Sequence, residues 1–396
     1  MKRRNFLKQS ALASTSVFVP SFLKAFGGEQ IMGSRSGKIL VVIQLSGGND
    51  GLNTIVPFQN DIYYKNRPKL AIQKNKVLRL TDDLGFNPAL KSLRNLYDDG
   101  MMSIINSVGY PNPDRSHFRS MDIWHTASDS HEYLSSGWLG RYLDSDCQDG
   151  QRPYHALELD DSLSLAMRGK ERKGFAANNP QQLLKTTNNS FLKSVAQQGH
   201  HDEEQVAYLY KTMIDTQNSA SYLAKKAKTY KSNISYPNNG FAKDLKQIAA
   251  LITADSDTKI YYVSLGGFDT HAYQKSKQGR LLTNYAEGVA AFVKDLKQNG
   301  LLDDTLIMTF SEFGRRVKQN ASGGTDHGTA NNMFLMGGRL KKQGFYNAAP
   351  QLTDLDKGDL KYEIDFRSVY SSILDDWLEA DADQILGGRF DKLRVL

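Results

Sequence analysis

The chain has 396 residues, 40% hydrophobic and 23% charged, with one cysteine and a formal net charge of +7. Residues 1–27 hold five of the basic residues and none of the acidic ones, which leaves 45 basic against 43 acidic residues; that balance gives no electrostatic case for a nucleic-acid partner. The lone Cys147 excludes an internal disulfide framework, and with no internal repeat or low-complexity linker the length reads as one large domain.

The amino terminus, Met1-Lys-Arg-Arg-Asn-Phe-Leu-Lys8, is basic and leads into a modest apolar run from Ala11 to Phe26 broken by Pro20. A basic head before a short apolar stretch is the form of an export signal, and Arg3-Arg4 points to the twin-arginine route. Residues 1–27 are therefore expected to be a signal handed to the Tat translocase, with a destination in the periplasm, in the cell envelope or outside the cell. No later stretch reaches the roughly 18 apolar residues of a membrane span, so none is expected beyond the signal, which itself, if uncleaved, would serve as an anchor.

From Lys38 to Leu45 the residues are almost continuously apolar and β-branched until Ser46-Gly-Gly-Asn-Asp-Gly51. Unalternated strands of this kind are buried on both faces, hence central and parallel. Met101 to Val108 reads as a second strand, and Ser116 to Thr126 as a helix with Ser116 at its N-cap and Phe118, Met121 and Trp124 as an apolar face. Short strands are expected at 154–165 and 174–177, and helices at 203–230 and 240–253, an insertion over about 195–253 placed to cover one mouth of a site. Lys259 to Leu265 is a strong strand, Leu281 to Asn299 an amphipathic helix stopped by Gly300, and Thr305 to Phe310 and Asn332 to Met336 are further strands. Strand, helix and strand in close succession imply right-handed crossovers. The expected class is α/β: a mostly parallel sheet with helices on both faces in a single domain over 38–396.

Three of the strongest strands end in a glycine-containing turn with a carboxylate: Asp50, Asp269 and Glu312. His271 and Asp326-His327 add imidazoles and a further acid nearby. Ligands in open α/β sheets collect at the carboxyl ends of strands, and carboxylates with neutral imidazoles suit Zn²⁺, Mn²⁺, Mg²⁺ or Ca²⁺. Blander readings stand beside this one. Asp50 shapes a turn, Asp269 to His271 caps a helix, Glu312 pairs with Arg315, and Asp326-His327 belongs to a turn. Trp124, Trp138, Tyr133 and Phe268 either floor a pocket or belong to the core.

The ordered motifs Arg-Arg-x-Phe-Leu-Lys, Gly47-Gly-Asn-Asp-Gly-Leu-Asn53, Ser116-His-Phe-Arg119, Gly137-Trp-Leu-Gly-Arg141, Gly266-Gly-Phe-Asp-Thr-His271, Ser311-Glu-Phe-Gly-Arg315 and Asp326-His327 look like the Tat-exported bacterial family known as domain of unknown function 1501. The match runs on to Asp375-Asp-Trp-Leu378 and Leu386-Gly-Gly-Arg-Phe390. That family more distantly resembles the alkaline phosphatase and sulfatase superfamily. The resemblance implies an alkaline-phosphatase-like fold, Ser116 as nucleophile, and Asp50, Asp269, His271, Glu312, Asp326 and His327 as metal-ligand or phosphate-contacting positions. Arg119 is placed to clamp an anionic substrate, with His117 as the alternative to Ser116 and Arg315 beside the substrate. Two departures stand out: Glu312-Phe313 replaces the superfamily's Asp-His pair, and Asp269-Thr-His271 shortens its Asp-x-x-x-His element.

Two functions follow from different classes. One is an exported metal-dependent hydrolase of phosphate or sulfate esters acting on a small-molecule or glycan anionic ester. The other is a non-catalytic exported protein that binds a carbohydrate or envelope partner on the same fold. A hydrolase or transferase of other chemistry is a third.

Overall fold

The apolar runs become strands of one nine-stranded sheet because both of its faces are covered. β1 (Ile39–Leu45) places Ile39, Val41, Ile43 and Leu45 in one core and Leu40 and Val42 in the other. The same division holds for β5 (Ile260–Leu265) and β6 (Thr305–Phe310): Tyr261, Val263 and Ile307 face the first core, and Ile260, Tyr262, Leu306, Met308 and Phe310 the second. With side chains alternating in direction along a strand, a strand buried on both sides has no solvent-facing side to fill with polar residues, which is why regular alternation is missing from the sequence.

The computed structural model describes residues 37–145, 153–187 and 204–396. The expected signal and Cys147 lie outside them, as does the start of the 195–253 insertion. Residues 38–396 form one unit. In addition to the three strands above, the sheet contains β2 (Met102–Gly109), β3 (Ala156–Glu158), β4 (Phe175–Ala176), β7 (Asn331–Met336), β8 (Gly344–Phe345) and β9 (Ile364–Asp365). Its order is β8-β2-β7-β6-β1-β5-β3-β4, with β9 also paired to β2. Every pairing is parallel except those of β7, which runs antiparallel to both β2 and β6. The expectation of a mostly parallel sheet therefore holds, with one reversed strand that the crossover rule did not anticipate.

Helices α1 (His117–Thr126), α2 (Trp138–Ser145) and α6 (Phe366–Ser372) close the second core. The first is closed by α3 (Glu204–Ala227), α4 (Gly240–Thr253) and α5 (Gln274–Gln298). α3 contributes Ala220 and Leu223 to that core. Among the described residues no helix is long and apolar enough to cross a membrane.

Where α1 crosses the sheet, a polar chain runs through the second core. His125 Nε2 lies 3.1 Å from the Tyr262 hydroxyl, which donates to Gln44 Oε1 at 2.5 Å. Tyr262 spends its proton on Gln44, so His125 Nε2 is the donor to Tyr262. Burial pushes the His125 pKa down from 6.5 to about 4. A histidine kept neutral in the fold takes up its proton first in the unfolded chain, so stability is intact above pH 6.5 and lost as pH falls from there toward 4. By pH 4 this one residue removes about 3 kcal/mol. Urea midpoints measured between pH 7 and pH 4 are expected to fall steeply, and His125→Gln should flatten that slope; an unchanged slope would assign the acid limb to other groups.

Candidate functional site

The carboxyl ends of β1, β2, β5 and β6 lie along one edge, and the reversal of β7 brings its beginning to the same edge. The loops that meet there are 46–50 after β1, 110–116 after β2, 266–271 after β5, 311–315 after β6 and 326–330 before β7. Two glycines allow the close approach. Gly47 has φ +115° and a Cβ there would lie 2.4 Å from the Asp269 nitrogen; Gly48 has φ +72° and its Cβ would lie 2.2 Å from the Phe313 ring.

Four side chains converge. Asp269 Oδ1 is 3.0 Å from His271 Nε2 and 3.1 Å from His327 Nε2, and those two nitrogens are 2.9 Å apart. His117, the first residue of α1, places Nε2 3.6 Å from the same oxygen. Ligand atoms of His117, Asp269 and His327 all lie within 4.8 Å of one another, so this group can hold a metal ion. Asp269 and His271 are exposed, so the group is open to solutes.

Each imidazole is held from behind through Nδ1. His117 Nδ1 is 2.9 Å from Glu312 Oε1, His271 Nδ1 is 3.3 Å from Asp326 Oδ1, and His327 Nδ1 is 2.8 Å from the Arg115 carbonyl oxygen. Those three oxygens only accept, so each Nδ1 carries a proton, and in the neutral ring each Nε2 presents a lone pair. Three lone pairs and a carboxylate oxygen facing one another repel unless a positive charge lies among them. His117 Nε2 is moreover buried with no hydrogen-bond partner. Ligating histidines are oriented in this way, the far nitrogen bonded to a carboxylate or carbonyl. The residues therefore fit a divalent metal. The hydrogen bond to Glu312 raises the His117 pKa against the opposing effect of burial. Burial pushes the Asp269 pKa up, but the Arg315 guanidinium, which donates to Oδ1 at 2.7 Å, leads the opposing interactions that hold it at about 2.

The other expected site residues fall elsewhere, each for a physical reason. Glu312 is buried, accepts Gly47 N–H at 2.8 Å, and acts through His117. Asp326 likewise stands behind His271. Asp50 is not among the converging groups: its carboxylate pairs with Arg67 at 2.6 Å, both side chains fully buried, and Gln274 Nε2 also donates to it. Arg315 does not face a substrate. Its donors go to the carbonyls of Gly47, Gly48, Phe268 and Thr325 and to Asp269 Oδ1 at 2.7 Å, so it does not pair with Glu312. Arg119 is no clamp either, because its guanidinium donates to the carbonyls of Asp129, Ser130 and Glu132 and lies 3.8 Å from the centre of the Tyr133 ring. Ser116 occupies the N-cap position of α1, but its side chain makes no cap bond and is exposed; it is His117 that turns into the acidic group. Phe118, expected on the buried face, is 86% exposed. Trp124, Trp138 and Phe268 are core, and Tyr133 is exposed.

Two contributors were not among the expected site residues. Arg67 carries the charge opposite Asp50 and also binds Val317 O, Arg316 O and Asn53 Oδ1; no local pattern marks a surface-type residue as buried. The Phe313 ring lies 4.8 Å from that of His117 and 4.7 Å from that of His327.

The chain is thus an α/β protein with a surface His-Asp centre at the carboxyl edge of its sheet. It belongs to the family described as "Protein of unknown function (DUF1501)", which matches residues 104–359. No curated protein matches it. Among solved structures it is similar to the phosphonate monoester hydrolase SpPMH from Silicibacter pomeroyi at 11% identity and TM-score 0.39, over 91% of this chain and 76% of that one. It is similar to the PsFucS1 sulfatase from Pseudoalteromonas sp. at 10% identity and TM-score 0.36, over 89% and 68%. It is also similar to the C-terminal periplasmic domain of EcEptC from Escherichia coli in complex with Zn, at 10% identity and TM-score 0.34, over 76% and 72%. None of their chemistry is transferred by likeness of this degree.

Removing Arg67 would leave the Asp50 charge buried and unpaired, which costs about 3–5 kcal/mol. Arg67→Met is expected to lower chemical-denaturation stability by that amount while the folded fraction keeps its metal content. Lost metal with stability intact would return Asp50 to the ligand set.

Proposed function

We propose that this protein is an exported metal-dependent hydrolase of phosphate or sulfate esters. The observation that carries the reading is the set of three Nε2 lone pairs and Asp269 Oδ1 turned toward one another, each imidazole anchored through Nδ1 on an acceptor. His117, Asp269, His327 and His271 would hold a divalent cation, which would lower the pKa of an attacking hydroxyl and offset charge on the transferring group.

The chain's own residues have distinct tasks. Glu312, Asp326 and the Arg115 carbonyl hold the rings in orientation and tautomer. Arg115 is itself fixed through an ion pair with Asp359. Arg315 keeps Asp269 ionised and in place. Ser116 is the candidate acceptor, because its hydroxyl is not spent on capping and precedes His117 at the N-terminus of a ten-residue helix. The first turn of such a helix has N–H groups without intrahelical partners and a partial positive charge, both suited to an anionic ester.

A metal-loaded fold assembled before translocation is what the twin-arginine signal serves, so the proposed location is the periplasm or cell envelope. Changing Arg3 and Arg4 to Lys should strand precursor in the cytoplasm, read by fractionation. Continued export in a strain lacking the Tat translocase would assign the signal to the general secretory route.

For the chemistry, Ser116→Ala is expected to abolish hydrolysis of an aryl phosphate or sulfate with metal content and melting temperature unchanged. Glu312→Gln should weaken metal affinity about 10–100-fold, as loss of an outer-shell partner does. A wild type that binds metal yet hydrolyses neither ester would favour the binding-protein reading.

A further inference from the structure

An open cleft of about 760 Å³ begins one residue beyond His271, walled by residues of the segments 69–70, 272–276 and 321–323. The buried polar network around Asp50 braces those walls. Its carboxylate joins two side chains, Arg67 and Gln274. Arg67 holds the first segment to the third by donating to the carbonyls of Arg316 and Val317, both at 2.8 Å. The Gln274 backbone N–H donates to the Gly323 carbonyl at 3.1 Å and so joins the second segment to the third. Gln319 Oε1 accepts the N–H groups of Lys69 and Leu70 at 2.9 and 3.1 Å, and Asn320 Nδ2 donates to the His271 carbonyl at 2.9 Å. The cleft is therefore preformed, which lowers what an occupant must spend in ordering it, and it is tied to the backbone of the centre.

Tyr273 stands in this cleft in a conformation that its fold does not reward. Its φ is +53°, in the left-handed region that bulky residues seldom adopt. The ring is 76% exposed, so packing does not compensate for the strain. Backbone strain that persists without a packing reason marks a functional position. The other strongly exposed large hydrophobics lie at the same centre. Phe118, 86% exposed, follows His117, and Tyr133, 77% exposed, has its ring against Arg119 of the same helix. Among the described residues these three are the most exposed side chains of their kind, and their gathering around one site, unlike a scatter of single residues, marks a binding surface.

Lys69 and Lys275, both exposed, are the only charged residues lining the cleft, so it attracts an anion. Its occupant needs a flat apolar face for Tyr273 and a negative group for the two ammonium groups. A pyranose carrying sulfate or carboxylate has both. A nucleotide has both as well, but 45 basic against 43 acidic residues beyond residue 27 give no field for a nucleic-acid strand to follow.

We infer that this cleft binds a second, anionic sugar unit of the substrate, its ring stacked on Tyr273 and its charged group met by Lys69 and Lys275. The substrate class is accordingly a glycan with anionic groups on more than one unit. That the unit belongs to the substrate rests on the hydrolase reading; that the cleft takes an anionic sugar rests on its own lining.

The test uses the metal-loaded full chain and calorimetric titration with hexasaccharides of chondroitin sulfate, heparin and polygalacturonate, with neutral cellohexaose and a thymidine hexanucleotide as controls. At least one anionic hexasaccharide is expected to bind, and cellohexaose at least about tenfold more weakly. Changing Lys69 and Lys275 together to Gln should weaken binding about tenfold and flatten its salt dependence. Tyr273→Gly should weaken it about tenfold with the melting temperature unchanged or higher, because glycine adopts a positive φ without strain. An aryl ester does not extend to the cleft, so its kcat and KM should not change in that variant. If Tyr273→Gly fails to fold, Tyr273→Asn, which also tolerates a left-handed backbone, takes its place. The assignment is overturned if no anionic hexasaccharide binds the folded protein, if the hexanucleotide binds more tightly than all of them, or if binding survives the loss of the Tyr273 ring. Glycan binding without turnover of an aryl ester would leave the cleft standing and remove the hydrolase reading; turnover without glycan binding would do the reverse.

Discussion

The fully buried Arg315 guanidinium holds the site together, since its donors reach the carbonyls of Gly47, Gly48, Phe268 and Thr325 and the carboxylate of Asp269. Those acceptors belong to the loops after β1 and β5 and to the loop before β7, while Arg315 itself follows β6. One planar cation with five donors can satisfy such a set where the point charge of a lysine cannot. A backbone bridge between Arg315 and His327 adds a further tie. The loops would otherwise present unpaired carbonyls to one another and drift apart, and with them the three imidazoles.

The same chemistry occurs a second time with the opposite outcome. Asp50 and Arg67 also form a carboxylate-guanidinium pair in which the arginine binds neighbouring carbonyls. There both side chains are fully buried, whereas Asp269 keeps 49% of its side chain exposed beside the buried Arg315. Burial removes Asp50 from any solute; partial exposure leaves Asp269 with lone pairs to share. Sequence position alone, a carboxylate just beyond a strand, describes both residues equally well.

Much of the fold was legible because burial on both faces writes itself as uninterrupted apolar runs, and Ile39–Leu45, Ile260–Leu265 and Thr305–Phe310 fall within a residue of where those runs place them. The start of α5 was not. It begins at Gln274, two turns ahead of the apolar pattern, because the buried face of those turns is Gln274 and Gln278, which serve Asp50 and Asn49 instead of a core. Asp269, His271 and His327 were legible as candidate ligands, since a Gly-rich turn followed by an acid and an imidazole has few other uses. The inward turn of His117 instead of Ser116 was not, because it depends on where Glu312 lies across 195 residues of chain. Arg119 and Arg315 show the general limit: sequence reveals a charge, and only the fold reveals whether backbone carbonyls have already consumed it.

The reversed β7 and Phe313 together shape the His-Asp centre. An antiparallel strand starts at the carboxyl edge, so Asp326 and His327, which precede β7, are delivered to the same place as residues that follow parallel strands. His327 then sits against the Phe313 ring, and so does His117, with Gly48 packed beneath it. An aromatic ring cannot ligate, and it cannot compensate charge. It leaves the imidazoles no alternative partner on that side and excludes water from it, which strengthens every electrostatic interaction on the open side. The Phe313 ring therefore bounds one side of the group formed by Asp269 and the three histidines.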